Sequence, residues 1–569
     1  MKKLSFLLAI ILLLSSCLMT ACKKDDSKDD PSETTAHAGE NPVVYASIAT
    51  EQLANYEIVS TKTSSAEVDA VAEELRLKMQ ALFDIPISKK TENAHNKKQY
   101  EILIGNTNRE ETATFLADMK WDDYGYGIVG DKLVIAGKNE DGTLKALRAF
   151  LDYINKHDGG TVFFSNANSL LVQMGYPHGA ITFNDIPVEE LSILCNQQEL
   201  GGIAQIIRDA IIDVCGIAMP IITDEDVVVG NKLMIIGESA YVSQEFLTDY
   251  QEASISENGF YFATDYQAHC WLSANTTAGY YHGVVKLTKI LSLKGGGNYM
   301  FVGKWESEDA IPVMSFNLKA ESKTEDYNKR LDAVVETILK YRPAVIGVQE
   351  ATDMWIGLLN QKLGDVYAIV GDGRSATKGD EHSAILYLKD EFECLQSGTK
   401  WLSDTPEVAG SKFAESHYER IMTYVVLERK SDGQQFLHVN THLDYGSTSA
   451  EEQIKVKQMQ VVFDEIAKLP DLPTIITGDF NANVGSPVYN KVIGAGYSEA
   501  AEHIPTSERT PTYHALMGTT GEPSHIDYIF AKGLANDNLY RICTERINNE
   551  NVSDHYPILS VLAFQTEES

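Results

Sequence analysis

The chain has 569 residues, too many for one hydrophobic core, and its length gives roughly three to four domains. Its formal net charge of −33 disfavours bulk nucleic acid as a partner, because a polyanion is repelled unless metal ions or a local basic groove offset the field. Of its cysteines, Cys195, Cys215, Cys270, Cys394 and Cys543 show neither metal-ligand nor disulfide-framework spacing, which leaves them as packing residues.

The first 22 residues, MKKLSFLLAIILLLSSCLMTAC, have the anatomy of a secretory signal: a basic start, an apolar run, then small residues before a cysteine. The segment resembles a bacterial lipoprotein signal. That resemblance implies cleavage and lipidation at a cysteine, and a protein anchored to the outer face of the cell membrane. Cys17 and Cys22 compete for the role; Cys22 is favoured because the charged stretch KKDDSKDDPSETT starts right after it. Residues 23–40 are expected to be a disordered tether.

From there the chain repeats itself. YEIVS, a helical AEVDAVAEELRLKMQALF, YEILIGNTN, YGYGIVG, KLVIAG and GTLKALRAFLDYI form one series. LSILC, GGIAQIIRDAIIDVCG, KLMIIGESA, NGFYFAT, AHCWLSA and TAGYYHGVVKLTKIL follow in the same order. The nearly constant offset predicts two α/β modules, 41–176 and 177–305, with Gly105 answering Gly237 and Gly125 answering Gly259. The modules are similar to the non-catalytic α/β domain that precedes the catalytic barrel in some bacterial glycoside hydrolases, which implies a glycan as their partner.

A linker around GKWESEDAIP, ending in Pro312, leads to a last domain over 313–564. There, apolar strands end again and again in residues able to bind metal or move a proton. MSFN ends at Asn317, IGVQE at Glu350, LHVNTH at Asn440 and His442, and PTIITGDFN at Asp479 and Asn481. HIDYIF carries Asp527, and NVSDHYP carries Asp554 and His555. One such ending is a turn; six in a fixed order predict a site along one sheet edge. Hard oxygen donors with so little sulfur suit Mg²⁺ or Mn²⁺.

The order SFN, QE, NTHLD, GDFN, IDY, SDH resembles the endonuclease/exonuclease/phosphatase superfamily, metal-dependent phosphoesterases related to deoxyribonuclease I. The resemblance implies a C-terminal four-layer α/β sandwich, two mixed β-sheets packed face to face with helices outside, preceded here by the two smaller modules. It also assigns roles. Glu350 and Asn317 would hold the ion, Asp479 would orient or deprotonate the attacking water, and Asn481 would donate to phosphate or water. His555 would exchange the proton with Asp527 fixing its tautomer, and Asp554 would position metal or water. His442, oriented by Glu381, would hydrogen-bond a phosphoryl oxygen, with Arg420 and Asn440 on the substrate phosphate. The expected function is an extracytoplasmic, divalent-metal-dependent phosphoesterase acting on a lipid head group, nucleotide or surface polymer. A nuclease of the deoxyribonuclease I type and a non-catalytic, glycan-binding surface lipoprotein are the competing readings; hydrolysis that EDTA abolishes separates the last of these from the others.

Overall fold

The computed structural model describes residues 46–564 apart from 94–96, 180, 184, 257–258, 265–268, 295–297, 300–303, 306–309, 321–326, 378–379, 516–521 and 545–550. The leader, Cys17, Cys22 and the tether at 23–40 lie outside the described residues.

The duplication expected from the repeated pattern is visible as topology. Strand Glu57–Ser60 pairs in parallel with Lys89–Thr91 on one side and Glu101–Ile104 on the other; Lys132–Gly137 follows in parallel, and Tyr124–Val129 and Leu170–Val172 complete the sheet antiparallel. The second module repeats this order with Leu191–Cys195 between Ile221–Ile222 and Lys232–Ile236, then His269–Ala274, Phe260–Thr264 and Lys304–Trp305. Gly105 and Gly237 are equivalent. Each has a positive φ, 75° and 80°, and each donates its N–H to the neighbouring strand, at Ile135 and Leu272. The pairing of Gly125 with Gly259 does not hold. Gly125 faces Ala136, whose counterpart Ser273 faces Tyr261, two residues beyond Gly259, because the preceding connection is longer in the second module. Gly125 is instead required locally, since a Cβ there would lie 2.0 Å from the Leu170 carbonyl oxygen.

The linker expected around Pro312 is also redrawn. Lys304–Trp305 is an edge strand of the second module, and Pro312 lies inside strand Ile311–Asn317, near its start, where the missing donor is tolerated.

The last domain is built from two six-stranded sheets. The first runs Tyr367–Val370, Ile385–Leu388, Val345–Gln349, Ile311–Asn317, Ile558–Phe564, Leu534–Ile542; the second runs Phe392–Trp401, Ile421–Arg429, Gln435–His442, Thr474–Asp479, Asp527–Lys532, Ser498–Glu499. Each has one central parallel pair among antiparallel neighbours. The strand pleat explains the layering. Ile475 packs into the core between the sheets, while Ile476 packs outward with Val462 and Val488 of helices Ser449–Ile466 and Pro487–Gly494. A strand buried on both faces needs the unbroken apolar run PTIIT. Helices Tyr327–Tyr341 and Asp353–Leu363 cover the first sheet, giving the four layers.

The modules differ in how they join this domain. The first has its own core, around Ile58, Leu75, Ile102, Ile135 and Phe150. The second shares one continuous core with the last domain through helix Gln197–Cys215, which lies on helix Tyr327–Tyr341. Gly202 makes that approach possible: a Cβ would meet the Lys340 carbonyl oxygen at 2.6 Å. Tyr281 donates to the Tyr341 carbonyl oxygen, and Arg541 pairs with Asp209 across the same seam.

Candidate active site

The ladder register gathers the site. His442 pairs with Asp479, and Asp479 with Asp527, so three adjacent strands of the second sheet end on one rung. In the first sheet Asn317 pairs with Gln349, which puts Glu350 next to it, and Ser553 ties the 553–555 segment to the same edge by donating to the Asn317 carbonyl oxygen at 2.7 Å. The pleat aims Asp479 into the gap between the sheets, on the face of Ile475 and Thr477. Glu350 and Asn481 hold left-handed backbone at φ 56° and 48°. Asparagine tolerates this conformation, but it is uncommon for glutamate and persists where the surroundings enforce it.

Asp479 is the hub. Its Oδ1 accepts the Asn481 N–H at 2.8 Å, and its Oδ2 accepts Asn317 Nδ2 at 3.0 Å. His442 Nε2 and His555 Nε2 stand 3.6 and 3.7 Å from that Oδ2. Burial, reinforced by the charge of Asp527, raises its pKa to about 7 against the pull of His555. His555 Nδ1 bonds Asp527 Oδ2 at 2.8 Å, which is the expected dyad. Burial alone would lower the imidazole's pKa, but the charge and hydrogen bond of Asp527, then Asp479 and Asp554, outweigh it and lift it to about 10. These partners favour the charged imidazole, which is at odds with the proton-accepting role expected of His555.

Three further expectations are corrected. Asn317 lies beside Glu350, but it presents nitrogen: Nδ2 bridges Glu350 Oε1 and Asp479 Oδ2, both at 3.0 Å, while its oxygen accepts the Lys319 N–H at 2.9 Å. A backbone donor requires the oxygen there, so Asn317 braces the two carboxylates and offers no ligand oxygen. Asn440 is not on the phosphate. It sits one pleat deeper than His442 on the same strand face, fully buried, donating to the Val348 and Ala384 carbonyl oxygens and accepting from Gln349 and Thr477, which makes it a staple between the sheets.

Glu381 does not orient His442. Its carboxylate accepts from Arg374 Nη1 at 2.7 Å, and burial and the charge of Glu350 raise its pKa to about 7. His442 is held by Asn481, whose Nδ2 also donates to the Leu443 carbonyl oxygen at 3.1 Å; the same nitrogen therefore donates to His442 Nε2 at 3.0 Å. With Nε2 accepting, and with burial, then Arg420 and Arg374, pushing its pKa well down, His442 is neutral and cannot donate from Nε2 to a phosphoryl oxygen.

Arg420 lines the cavity and is buried, 3.7 Å from Asp444 through Nε, an atom without a hydrogen-bond partner. Asp554 lines the cavity too, its pKa raised by burial and by Glu350. The sequence reading missed Arg374, which lines the cavity from a loop without a recurring motif, and Tyr418, two residues before Arg420.

Glu350 and Asp479 fit a hard divalent cation. Their oxygens, with His442, lie within 4.8 Å of one another, and each carboxylate adds unfavourable charge to its neighbours. Asp527 Oδ1, buried nearby, has no hydrogen-bond partner. A cation relieves such crowding, and oxygen donors suit Mg²⁺ or Mn²⁺.

Residues 314–555 match the Endonuclease/Exonuclease/phosphatase family. Similar solved structures include an endonuclease/exonuclease/phosphatase from Bacteroides vulgatus (24% identity, 45% of this chain and 99% of that one, TM-score 0.41). Others are a family protein from Bacteroides thetaiotaomicron (25%, 46% and 100%, 0.41) and a mannosyl-6-phosphatase from the same species (24%, 45% and 100%, 0.37). No curated protein matches the chain.

Proposed function

From the match of residues 314–555 to the Endonuclease/Exonuclease/phosphatase family, we propose that this chain hydrolyses a phosphoester by in-line attack of water activated at Asp479. The observation that carries the reading is the single rung on which His442, Asp479 and Asp527 meet, with His555 locked to Asp527. Asp479, held at both oxygens and beside the two histidines, orients the attacking water and takes its proton. Asn481 and Asn317 hold its two oxygens in place. His555, an imidazolium, faces the cleft with Nε2 and donates to the oxygen that gains charge as the P–O bond breaks.

Glu350 and Asp479 would hold Mg²⁺ or Mn²⁺, which when bound polarises a phosphoryl oxygen and steadies the leaving oxygen. The net charge of −33 supports a small or surface-bound phosphoester over long nucleic acid. The N-terminal segment supports a lipoprotein displayed outside the cytoplasmic membrane, and the modules' resemblance supports a glycan as a second partner.

Release of p-nitrophenol from bis(p-nitrophenyl) phosphate and from p-nitrophenyl phosphate, with Mg²⁺ and then with excess EDTA, tests the reading. Turnover that EDTA stops, and that Asp479→Asn abolishes, is expected. Turnover surviving Asp479→Asn would remove the assignment.

A further inference from the structure

The cavity of about 770 Å³ that holds Asp479, His442 and His555 is lined by aromatic rings as well. Tyr418 and Tyr445 line it while remaining 46% and 44% exposed, an unusual condition for tyrosines beside a buried polar centre. Their centroids are 5.9 Å apart at 38°, so the two rings form a shallow curved platform, and His417 stacks on Tyr445 at 4.3 Å and 31°, backing that ring. The guanidinium carbons of Arg374 and Arg420 lie 5.0 and 5.7 Å from the Tyr418 centroid.

This platform is built. Buried Asp444 accepts the His417 N–H at 2.6 Å and the Tyr445 N–H at 3.2 Å, fixing both ring-bearing segments, and its own N–H donates to Gln458. Beside it stands Glu452, also lining the cavity. Its Oε1 accepts from Lys455 at 2.6 Å, and Lys455, fully buried, also donates to the carbonyl oxygens of Gly446 and Asn481. Glu452 Oε2 is buried and has no hydrogen-bond partner. A buried carboxylate oxygen is an acceptor only, so Glu452 turns lone pairs toward any donor that enters beside it.

A ligand that satisfies both features offers a C–H-rich face to the rings and hydroxyl donors to Glu452. A pyranose does this. An acyl chain lacks the donors, and a nucleobase edge turns acceptors as well as donors toward the carboxylate. Resting on the hydrolase reading above, we propose that the group esterified to phosphate is a sugar, its ring lying on Tyr418 and Tyr445, its hydroxyls bonding Glu452, and its phosphoryl group at Asp479 and His555. Water then forms the new P–O bond, the P–O bond to the sugar breaks, Asp479 receives the proton of the water and His555 protonates the departing sugar oxygen. The products are phosphate and the free hydroxyl of the sugar.

The test compares kcat/KM of the full chain, with Mg²⁺, on the 6-phosphates of glucose, galactose and mannose against glycerol 3-phosphate and adenosine 5′-monophosphate. The best hexose phosphate should exceed both. Tyr418→Ala should erode its lead over glycerol 3-phosphate by about three- to tenfold, and Tyr418→Phe should keep most of it. Glu452→Gln should erode it by about tenfold. Adenosine monophosphate as the best substrate, or variants that slow hexose and glycerol substrates equally, would overturn the proposal while leaving the hydrolase reading intact. Calorimetric titration of the full chain, in the presence of Mg²⁺, with the non-hydrolysable methylene phosphonate analogue of the best hexose 6-phosphate provides a readout free of turnover. Binding that weakens on adding Tyr418→Ala supports the platform even if no ester is cleaved, and absence of any binding defeats it.

Discussion

His555 and His442 line one cleft, both buried, at nearly equal distances from Asp479 Oδ2, yet their surroundings pull their pKa values in opposite directions. The His555 wall is acidic: Asp527 bonds Nδ1, and Asp479 and Asp554 lie close. The His442 wall is basic, with Arg374 and Arg420 in range, and its imidazole accepts from Asn481. The same side chain is thus set as a cation on one side and a neutral acceptor on the other by its neighbours. In the proposed hydrolysis that asymmetry lets one wall deliver a proton while the other orients groups without adding charge.

The largest way to break the contrast is to remove the cation. His555→Ala should lower kcat by about 10²–10⁴-fold. Asp527→Asn should give up a large part of the same factor, and the double variant should be scarcely slower than His555→Ala, because the pair acts as one unit. Single-turnover rates corrected for folded fraction decide this, and fully multiplicative losses would show that the two residues act separately.

Next comes the charge that both walls share. Glu350→Gln keeps the size but removes one of two carboxylates able to hold a hard ion, so calorimetric Mg²⁺ affinity should fall by roughly 10- to 100-fold, and the melting temperature should drop slightly because the amide nitrogen meets the Ala320 N–H or Asn317 Nδ2, both donors. Unchanged affinity would place the ion elsewhere. At the other histidine, His442→Gln substitutes one neutral group for another. It should cost less than His555→Ala, about 10- to 100-fold in kcat, as expected for a group that acts by positioning.

The smallest effect sharpens the contrast from outside the cleft. His438, two pleats deeper on the strand of His442, is fully buried, bonded to Thr477 Oγ1, and held down to about 3 by burial. Its folded pKa lies below its unfolded value, so the folded state is undisturbed above pH ~6.5 and loses stability as pH falls from there toward the folded value. At about pH 5 the loss should be about 2 kcal/mol, and His438→Gln should reduce the acid sensitivity of chemical denaturation if the amide is accommodated. A wild-type stability curve flat from pH 7 to about 5 would contradict it.

How far the sequence could be read depends on what register alone determines. The ends of strands are visible as apolar runs meeting a polar residue, and once those strands pair, His442, Asp479 and Asp527 must meet. Depth is not visible in the same way. Asn440 and His442 share a strand face and a motif, and only the position of the sheet edge makes one a buried staple and the other a cleft residue. Nor are partners that come from loops: Glu381 is claimed by Arg374, seven residues earlier, and Tyr418 and Tyr445 converge only because Asp444 binds both of their segments. The duplicated topology was legible from element order, whereas the Gly125 register was not, since a longer connection shifts the equivalence without changing the order.

The continuous core between the second module and the hydrolase domain has a practical consequence for anyone who trims this chain. A version started at residue 313 would turn out to water the helix Tyr327–Tyr341 and the neighbours that Gly202 lets approach, and it should be prone to self-association. One started near residue 177 keeps that surface covered and should melt in a single transition, with module and hydrolase domain unfolding together. The first module, with a core of its own, is the part that can be removed at least cost to the catalytic fold.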